Sequence, residues 1–441
     1  MLEYGPTEED FDHKAEDFFQ LPLTKERNYL HFDLKLVRDT SALPLIDEYE
    51  EAHRFYPLLG YTDTREKFVR NEQKQLVKKF KERPIKFSSH RDAEYLQVYG
   101  AQLASKYESA LARLGLQSAV LAYRKGGGSN IHHAKALFDE VKLYDECVVF
   151  ALDISKFFDR INHFLLREIL EDILGSRLSG HDWNVFKNIT KFAWVEINDI
   201  ENKLGKDRVR NGRICSESDF KNHVRGKTKG MVRVNQDAFG IPQGTPVSGL
   251  YANIYLLQLD RVLKKVCNNI GGSYRRYSDD LAIVLPAHVF NGNSENFKNL
   301  IKLVGKCLDD QKLEFSEDKT EVSHFKNGKL CSVKPLQYLG FTFDGESTLI
   351  RSTTLDAYRG KMRKGIHAKL MAAKHGEINK NEVFKRELLS RYTHLGKRRN
   401  FLTYAYNASD IFNAPEIRQQ VKSHMTWFNR TYELELQRVY G

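Results

Sequence analysis

Two adjacent carboxylates in a predicted β-hairpin bend constrain this chain more than any other feature. Asp279 and Asp280 lie between two segments of strand-like composition, residues 273–277 and 281–285. Successive side chains of a strand point to opposite faces of a sheet, so a bend is needed to bring neighbouring acids towards one point. Acidic doublets also occur in solvated turns. A third acid beside this pair would favour a cation-binding site, because like charges repel unless a cation lies between them.

Asp153 is the candidate for that third acid. It follows residues 147–152, which are almost entirely apolar, as in a strand that is buried on both faces. A carboxylate at the end of a buried strand is costly to desolvate unless it is paired or binds a metal. Asp153 could instead cap the next helix, but Asp159 and Asn162 lie closer to the helical pattern of residues 164–170. Asp153 is therefore predicted to be available for metal binding.

A segment rich in glycine and proline separates these two acidic sites. Residues 240–246 predict a rigid turn, with Pro246 at the first position of a helix. Small residues such as Gly249 are expected to let a bulky, flat partner approach the backbone of that helix. An ordinary turn-to-helix junction explains the glycines and prolines, but it does not require Gln243 between them.

Four motifs, in this order, resemble the palm motifs of reverse transcriptases. They are ALDISKFFD at residues 151–159, GIPQG at 240–244, YSDD at 277–280 and QYLGF at 337–341. Within that superfamily, residues 83–92 and 122–126 are most similar to the bacterial defence-associated and abortive-infection branch. The resemblance implies an α+β right-hand polymerase, with fingers, a palm whose antiparallel sheet packs on helices, and a helical thumb.

The resemblance and the charge distribution predict three regions. Residues 1–74 form an acidic N-terminal extension of the fingers, 75–345 form fingers and palm, and 346–441 form a basic α-helical thumb. Within the second region, residues 203–234 are predicted to be a basic insertion, a loop or hairpin with few core residues. Residues 351–441 contain eighteen Lys or Arg against eight Asp or Glu. Nucleic acid is therefore expected along the thumb of a chain whose net charge is +11.

The resemblance implies nucleotidyl transfer assisted by two Mg²⁺ ions, for which Mn²⁺ can substitute. Asp153 and Asp279 are expected to bind both metals, with the backbone carbonyl of Ile154 assisting and Asp280 completing the acidic cluster. Two ions about 3.5–4 Å apart can activate the attacking hydroxyl and neutralise the leaving pyrophosphate. Mg²⁺ needs few protein ligands, because substrate phosphates and water complete its octahedral shell.

The resemblance implies that five residues bind the incoming nucleotide. Arg124 and Lys125 precede a glycine run and suit the triphosphate, although a plain hairpin would also use those glycines. Phe158 is expected beneath the sugar, where it would exclude a 2′-hydroxyl, and Phe157 fits a core position better. Gln243 is expected to contact the templating pair or the sugar. Lys319 is placed near the pyrophosphate, with a charged turn as the alternative.

Six basic residues are predicted to bind nucleic acid in the thumb. They are Lys361, Arg363, Lys364, Lys397, Arg398 and Arg399. Neighbouring aromatic side chains could stack on bases, which is typical of single-strand binding. The alternative is a solvated basic helix bundle whose aromatics are core residues.

The remaining composition indicates a cytoplasmic protein, and the resemblance implies a bacterial one. Five widely separated cysteines form no zinc pattern and predict no disulfide framework. The amino end lacks a signal pattern, and no apolar stretch approaches about 18 residues, so no membrane association is expected. The sequence is compatible with a homo-oligomer and does not establish the oligomeric state.

The sequence leads to one main functional hypothesis and two alternatives. The main one is an RNA-directed DNA polymerase that copies a structured noncoding RNA partner into DNA from deoxynucleotide triphosphates, in bacterial antiphage defence. The first alternative is template-independent or protein-primed DNA synthesis of the abortive-infection type, with tyrosines such as Tyr392, Tyr404, Tyr432 or Tyr440 as primers. The second is an RNA-binding scaffold with an inactive palm, which the intact acidic trio argues against.

Overall fold

The computed structural model describes most of the chain. The described residues are 27, 29–35, 52–70, 75–205, 209, 212–226, 230–289, 294–315, 320–376, 378, 385–396 and 400–441. The strands are β1 Leu58–Arg70, β2 Leu76–Phe87, β3 Glu146–Asp153, β4 Ala193–Glu196, β5 Arg233–Val234, β6 Ser273–Tyr277, β7 Asp280–Pro286, β8 Glu321–Lys326, β9 Lys329–Leu330, β10 Leu336–Tyr338, β11 Phe341–Phe343 and β12 Thr348–Ile350.

Helices make up the larger share of the described elements. They are α1 His90–Leu114, α2 Asn130–Val141, α3 Phe157–Arg160, α4 His163–Leu174, α5 Gly180–Thr190, α6 Ile197–Leu204, α7 Glu217–Asp219 with a π-helical turn over Phe220–Val224, α8 Ser248–Tyr255, α9 Leu257–Asn269, α10 Ser294–Asp310, α11 Ser352–His375, α12 Arg386–Tyr392, α13 Phe401–Phe412, α14 Pro415–Val421 and α15 His424–Tyr440. None of the described helices is long and apolar enough to cross a bilayer.

The central sheet is antiparallel and has the strand order β6-β7-β3-β8-β9. Strand β3 lies in its interior, between β7 and β8, as expected for the apolar run before Asp153. Phe150 and Leu152 enter a core shared with helices α1, α4, α5, α8, α9 and α10. Cys147 and Val149, on the opposite face, enter a second core shared with α2, β10–β12, α13 and α14. The two-residue period of the strand therefore distributes one apolar run between two cores.

A separate four-stranded sheet has the order β2-β1-β4-β5, so it combines the first two strands of the chain with two that follow β3 in sequence. The hairpin of β1 and β2 spans the predicted boundary at residues 74 and 75, so that boundary divides one structural unit. The predicted basic insertion is corrected in its described part. Ile214, Cys215 and Val224 are buried in the core of this sheet, and β5 pairs with β4. The described part of this segment therefore contributes to the core of the sheet, although Val234 is exposed.

The C-terminal region begins with the hairpin of β10 and β11, which the QYLGF motif forms. Its turn consists of Leu339 and Gly340, with φ of +45° and +88°. Asn130 at the start of α2 donates its side-chain amide to the Leu339 carbonyl and to the Tyr404 hydroxyl of α13. Strand β12 pairs with β11, so the helical region starts at Ser352 rather than at the predicted residue 346.

Candidate active site

The fold brings Asp153 and the acidic doublet together. Asp153 is the last residue of β3, Asp280 is the first residue of β7, and the two are paired across the antiparallel ladder. The backbone N–H of Ile154 donates to the carbonyl oxygen of Asp279 at 3.1 Å. All three carboxylate residues are half-buried. Residues separated by more than 120 positions in the sequence thus meet where β3 ends and β7 begins.

Strand alternation places Asp153 and Asp280 on the same face of this sheet. Ala151 pairs with Ala282 two residues earlier on that face, whereas Leu152 and its partner point into the helical core on the other side. The prediction that both acids lie in the bend is wrong for Asp280: Asp279 belongs to the turn, whereas Asp280 is the first residue of strand β7.

The acids fit a partial Mg²⁺ site better than a closed one. Carboxylate oxygens and backbone carbonyls are the donors that Mg²⁺ prefers. Among the described residues, however, no three His, Cys, Asp or Glu side chains converge closely enough to hold a metal together. The predicted ligand set of Asp153, Asp279, Asp280 and the Ile154 carbonyl stays a prediction. An open set of donors suits an ion that shares its ligands between the protein and substrate phosphates.

The GIPQG turn contacts strand β2 of the four-stranded sheet. The backbone N–H of Lys86 donates to the Gln243 carbonyl at 2.8 Å, and a Cβ at Gly244 would lie 2.9 Å from the Lys86 carbonyl oxygen. Gly244 also has a φ of +121°, which favours glycine. The following helix begins at Ser248, so the predicted placement of Pro246 at its first position is wrong by two residues.

The flat partner expected against the small residues of α8 is an internal one. A Cβ at Gly249 would lie 2.8 Å from Cδ1 of Tyr123, so the absence of a side chain lets this ring rest on the helix. The Tyr123 hydroxyl then lies 3.1 Å from Oγ of Ser278, in the acidic turn. Burial raises the pKa of Tyr123 to about 12, which keeps this hydroxyl protonated.

The two phenylalanines after Asp153 differ as the sequence predicts. Phe157 is buried, at 3% exposure, whereas Phe158 is half-buried, and their rings pack edge to face at 5.6 Å. The Phe158 carbonyl accepts a hydrogen bond from the N–H of Ile241, so this residue also contacts the GIPQG turn. Asn162 caps α4 by accepting from Phe164 and Leu165, which leaves Asp153 out of that role.

Arg124 has a structural partner in this conformation. Its guanidinium forms a bidentate ion pair with Glu108, at 2.8 and 2.7 Å, and also donates to the carbonyls of Gln117 and Val120. Contact between Arg124 and a triphosphate would require this pair to open. Lys125, the next residue, is exposed.

Some predicted binding residues lie outside the described part of the chain. These are Lys319, Lys397, Arg398 and Arg399. The other predicted thumb residues lie on α11, where Lys361, Arg363 and Lys364 are exposed on either side of the buried Met362.

The structure also reveals residues near the site that the sequence did not single out. Lys86 lies within 5.4 Å of the ring centre of Phe192 and 5.1 Å of that of Trp194, and burial lowers its pKa. Arg276, immediately before the YSDD motif, is fully buried and paired with Asp260. An arginine within a segment of strand-like composition is the only local signal for that pair, since Asp260 lies on a helix.

Comparison with protein families agrees with the fold and the paired acids, which together define a right-hand polymerase. A family described as reverse transcriptase (RNA-dependent DNA polymerase) matches residues 116–343, more than half of the chain. The chain belongs to this reverse transcriptase family, a family of nucleotidyltransferases. The predicted fold class and enzyme class are confirmed at this level.

Solved structures with a similar fold include two telomerases. Telomerase from Candida albicans in complex with a TWJ fragment of telomeric RNA has 11% sequence identity and a TM-score of 0.38, over 88% of this chain and 61% of that chain. Apo telomerase from Candida tropicalis has 13% identity and a TM-score of 0.40, over 87% and 63%. This chain thus spans less than two thirds of either telomerase, and the likeness supports no conclusion about substrates. No curated protein matches the chain.

Proposed function

We propose that the chain is an RNA-directed DNA polymerase that copies a structured noncoding RNA partner into DNA, in bacterial antiphage defence. The pairing of Asp153 with Asp280 at one edge of an antiparallel sheet carries this proposal, together with the family to which the chain belongs. The defence role rests on the similarity of residues 83–92 and 122–126 to the defence-associated branch.

Synthesis at this site requires that the acids hold the substrates through divalent ions. Asp153 and Asp279 are the proposed ligands of two Mg²⁺ ions, assisted by the Ile154 carbonyl and by Asp280. Bound Mg²⁺ would promote attack by the primer hydroxyl and neutralise charge on the departing pyrophosphate. The proposed task of Phe158 is to exclude ribose, and that of Gln243 is to contact the nucleotide or its template.

The tyrosines proposed as protein primers have structural roles in the described conformation. Tyr392 and Tyr432 are buried, at 7% and 1% exposure. The hydroxyl of Tyr404 accepts from Asn130, and that of Tyr440 donates to the Ile378 carbonyl. These contacts argue against priming from any of these four side chains.

Incorporation of labelled deoxynucleotides by the purified full-length protein tests the proposed function. One sample retains the RNA that co-purifies with the protein, and a second is treated with ribonuclease. DNA made only in the first sample supports the proposal. DNA that becomes free only after proteolysis would favour protein priming, and no product with Mg²⁺ or Mn²⁺ would favour the scaffold alternative.

The thumb provides a second, independent test. Replacing both Arg363 and Lys364 with alanine is expected to weaken RNA binding and to reduce the slope of log affinity against log salt by about 1.5, because each cation that contacts a phosphate contributes about 0.7–0.9. Filter binding between 50 and 200 mM salt would measure both quantities. The matched control replaces Lys302 and Lys306, two exposed lysines of α10, whose apolar side packs into the helical core. An equal change in both double variants would contradict a specific role for the thumb.

A further inference from the structure

The acidic turn contains a backbone conformation that needs external support. Ser278 is the first of the two turn residues between β6 and β7, and its φ is +58°. A residue with a Cβ is disfavoured in this left-handed region by about 1–2 kcal/mol relative to its ordinary conformations. Ser278 is nevertheless buried, at 7% exposure, and Asp279 follows it directly. The contacts that stabilise this conformation of Ser278 therefore also influence the direction of the backbone at Asp279.

Two contacts hold Ser278, one at its backbone and one at its side chain. Nη1 of Arg276 donates to the Ser278 carbonyl at 3.0 Å. The Tyr123 hydroxyl lies 3.1 Å from the Ser278 Oγ. The carbonyl and the hydroxyl of one residue are therefore fixed from two different segments of the chain.

Arg276 is itself immobilised beneath the sheet. Its Nε and Nη2 donate to the two carboxylate oxygens of Asp260 at 2.7 and 2.6 Å, and both side chains are fully buried. Nη1 also donates to the side-chain oxygen of Asn253, and Tyr274 donates to Asp260. Burial alone would lower the pKa of Arg276, but the carboxylate of Asp260 raises it above its ordinary value, so the guanidinium stays charged.

Tyr123 is held with similar precision. Its own φ is +57°, and its ring rests on the bare backbone of Gly249 in α8. The neighbouring carbonyl of Ala122 accepts from the side-chain amide of Asn253, at 2.6 Å. Asn253 therefore connects the segment that carries Tyr123 to the Arg276 guanidinium. Both supports of Ser278 belong to one buried polar network, anchored on α8 and α9.

We propose that Tyr123, Arg276 and Asp260 are positioning residues, which hold Ser278 in its left-handed conformation and so fix the direction in which Asp279 presents its carboxylate to a divalent cation. The site would then need little reorganisation when metal and nucleotide bind, because the rigid network has already oriented the ligand. This inference rests on the proposed function for the identity of the reaction, but the metal-binding step can be measured separately.

Tyr123→Phe is the sharpest test, because it removes one hydroxyl and keeps both the ring on Gly249 and the buried Arg276–Asp260 pair. Mn²⁺ binding to the full-length protein with dATP would be measured from the electron paramagnetic resonance signal of the free ion. Deoxynucleotide incorporation would be measured against Mg²⁺ concentration. We expect the Mn²⁺ dissociation constant and the half-saturating Mg²⁺ concentration both to rise about fivefold, a factor that corresponds to about 1 kcal/mol.

Tyr144→Phe is the matched control. The Tyr144 hydroxyl donates to the Gly271 carbonyl at 3.2 Å, so this variant removes one hydrogen bond just before β6, at the end of the hairpin remote from the acidic turn. We expect its metal constants to equal those of the unaltered protein. If both variants lose thermal stability and neither changes its metal constants, Tyr123 has a structural role only and the proposal is overturned.

A double-mutant cycle with Ser278→Ala tests whether Tyr123 acts on the metal site through the contact between its hydroxyl and the Ser278 Oγ. The combined variant is expected to match the worse single variant, because either change removes the same hydrogen bond. Fully additive effects would overturn the proposal. A protein whose Mn²⁺ affinity depends on Tyr123 but which makes no DNA would retain the positioning role and lose the proposed function. If the protein makes DNA only with RNA and the metal constants of Tyr123→Phe are unchanged, the positioning role is overturned and the proposed function is retained.

Discussion

Replacing Asp153 with asparagine is expected to reduce DNA synthesis by about a thousandfold or more, while the protein remains folded. Asparagine has the same shape and is neutral, so it can occupy the half-buried end of β3 without retaining the charge that a divalent ion requires. A loss of about 4 kcal/mol of transition-state stabilisation corresponds to this factor. Primer extension with labelled deoxynucleotides measures the rate, and circular dichroism with RNA binding verifies that the fold persists.

The matched control is Asp309→Asn, at an exposed position near the end of α10. We expect this variant to retain full synthesis, since it removes the same charge from a helix whose apolar side packs into the helical core. Residual activity of Asp153→Asn above about a tenth of the unaltered rate would mean that Asp153 is not a ligand of the reacting ions. The paired position of Asp280 would then be the one to examine.

Replacing Phe158 with alanine is expected to increase ribonucleotide use relative to deoxynucleotide use by about tenfold or more. The half-buried ring would otherwise clash with a 2′-hydroxyl, and steric discrimination of this kind is worth about 1–3 kcal/mol. The ratio of kcat/KM for a ribonucleotide and its deoxynucleotide, with the same template and primer, measures the effect. Most of the change should be in the ribonucleotide value.

Phe164→Ala serves as the control for this experiment. Phe164 is 72% exposed in the first turn of α4, so its removal deletes an equally large ring from the surface. We expect the sugar preference of this variant to be unchanged. If Phe158→Ala lowers the kcat/KM values for both sugars by the same factor, Phe158 is a packing residue next to Phe157 and does not select the sugar.

The elements nearest the acids could be predicted from sequence because their signals are local. The apolar run before Asp153 predicts an interior strand, and the residues around the acidic doublet predict a β-hairpin, both of which the structure contains. Asn162 follows the rules for a helix cap and does cap α4. In each case a few consecutive residues determine the conformation through side-chain period, turn chemistry or capping.

Other features depended on contacts between distant segments and were predicted wrongly or not at all. The bidentate pair of Arg124 with Glu108, sixteen residues earlier, was not predicted, and the contact of Arg124 with a triphosphate stays a prediction. The basic composition of residues 203–234 suggested a surface loop, whereas its few apolar residues complete a core. Composition records how many charges a segment carries and does not record which of them have partners.

The sequence by itself determined the family, the strand that ends at Asp153, the hairpin that contains the acidic doublet, and the order of the motifs, because these follow from residue type and spacing along the chain. Only the tertiary structure decided that Asp153 pairs with Asp280 across the sheet and that Arg276 is buried on Asp260. Each of these depends on distance in space between elements far apart in the chain. Packing of the helices against the central sheet sets those distances, and no local pattern encodes them.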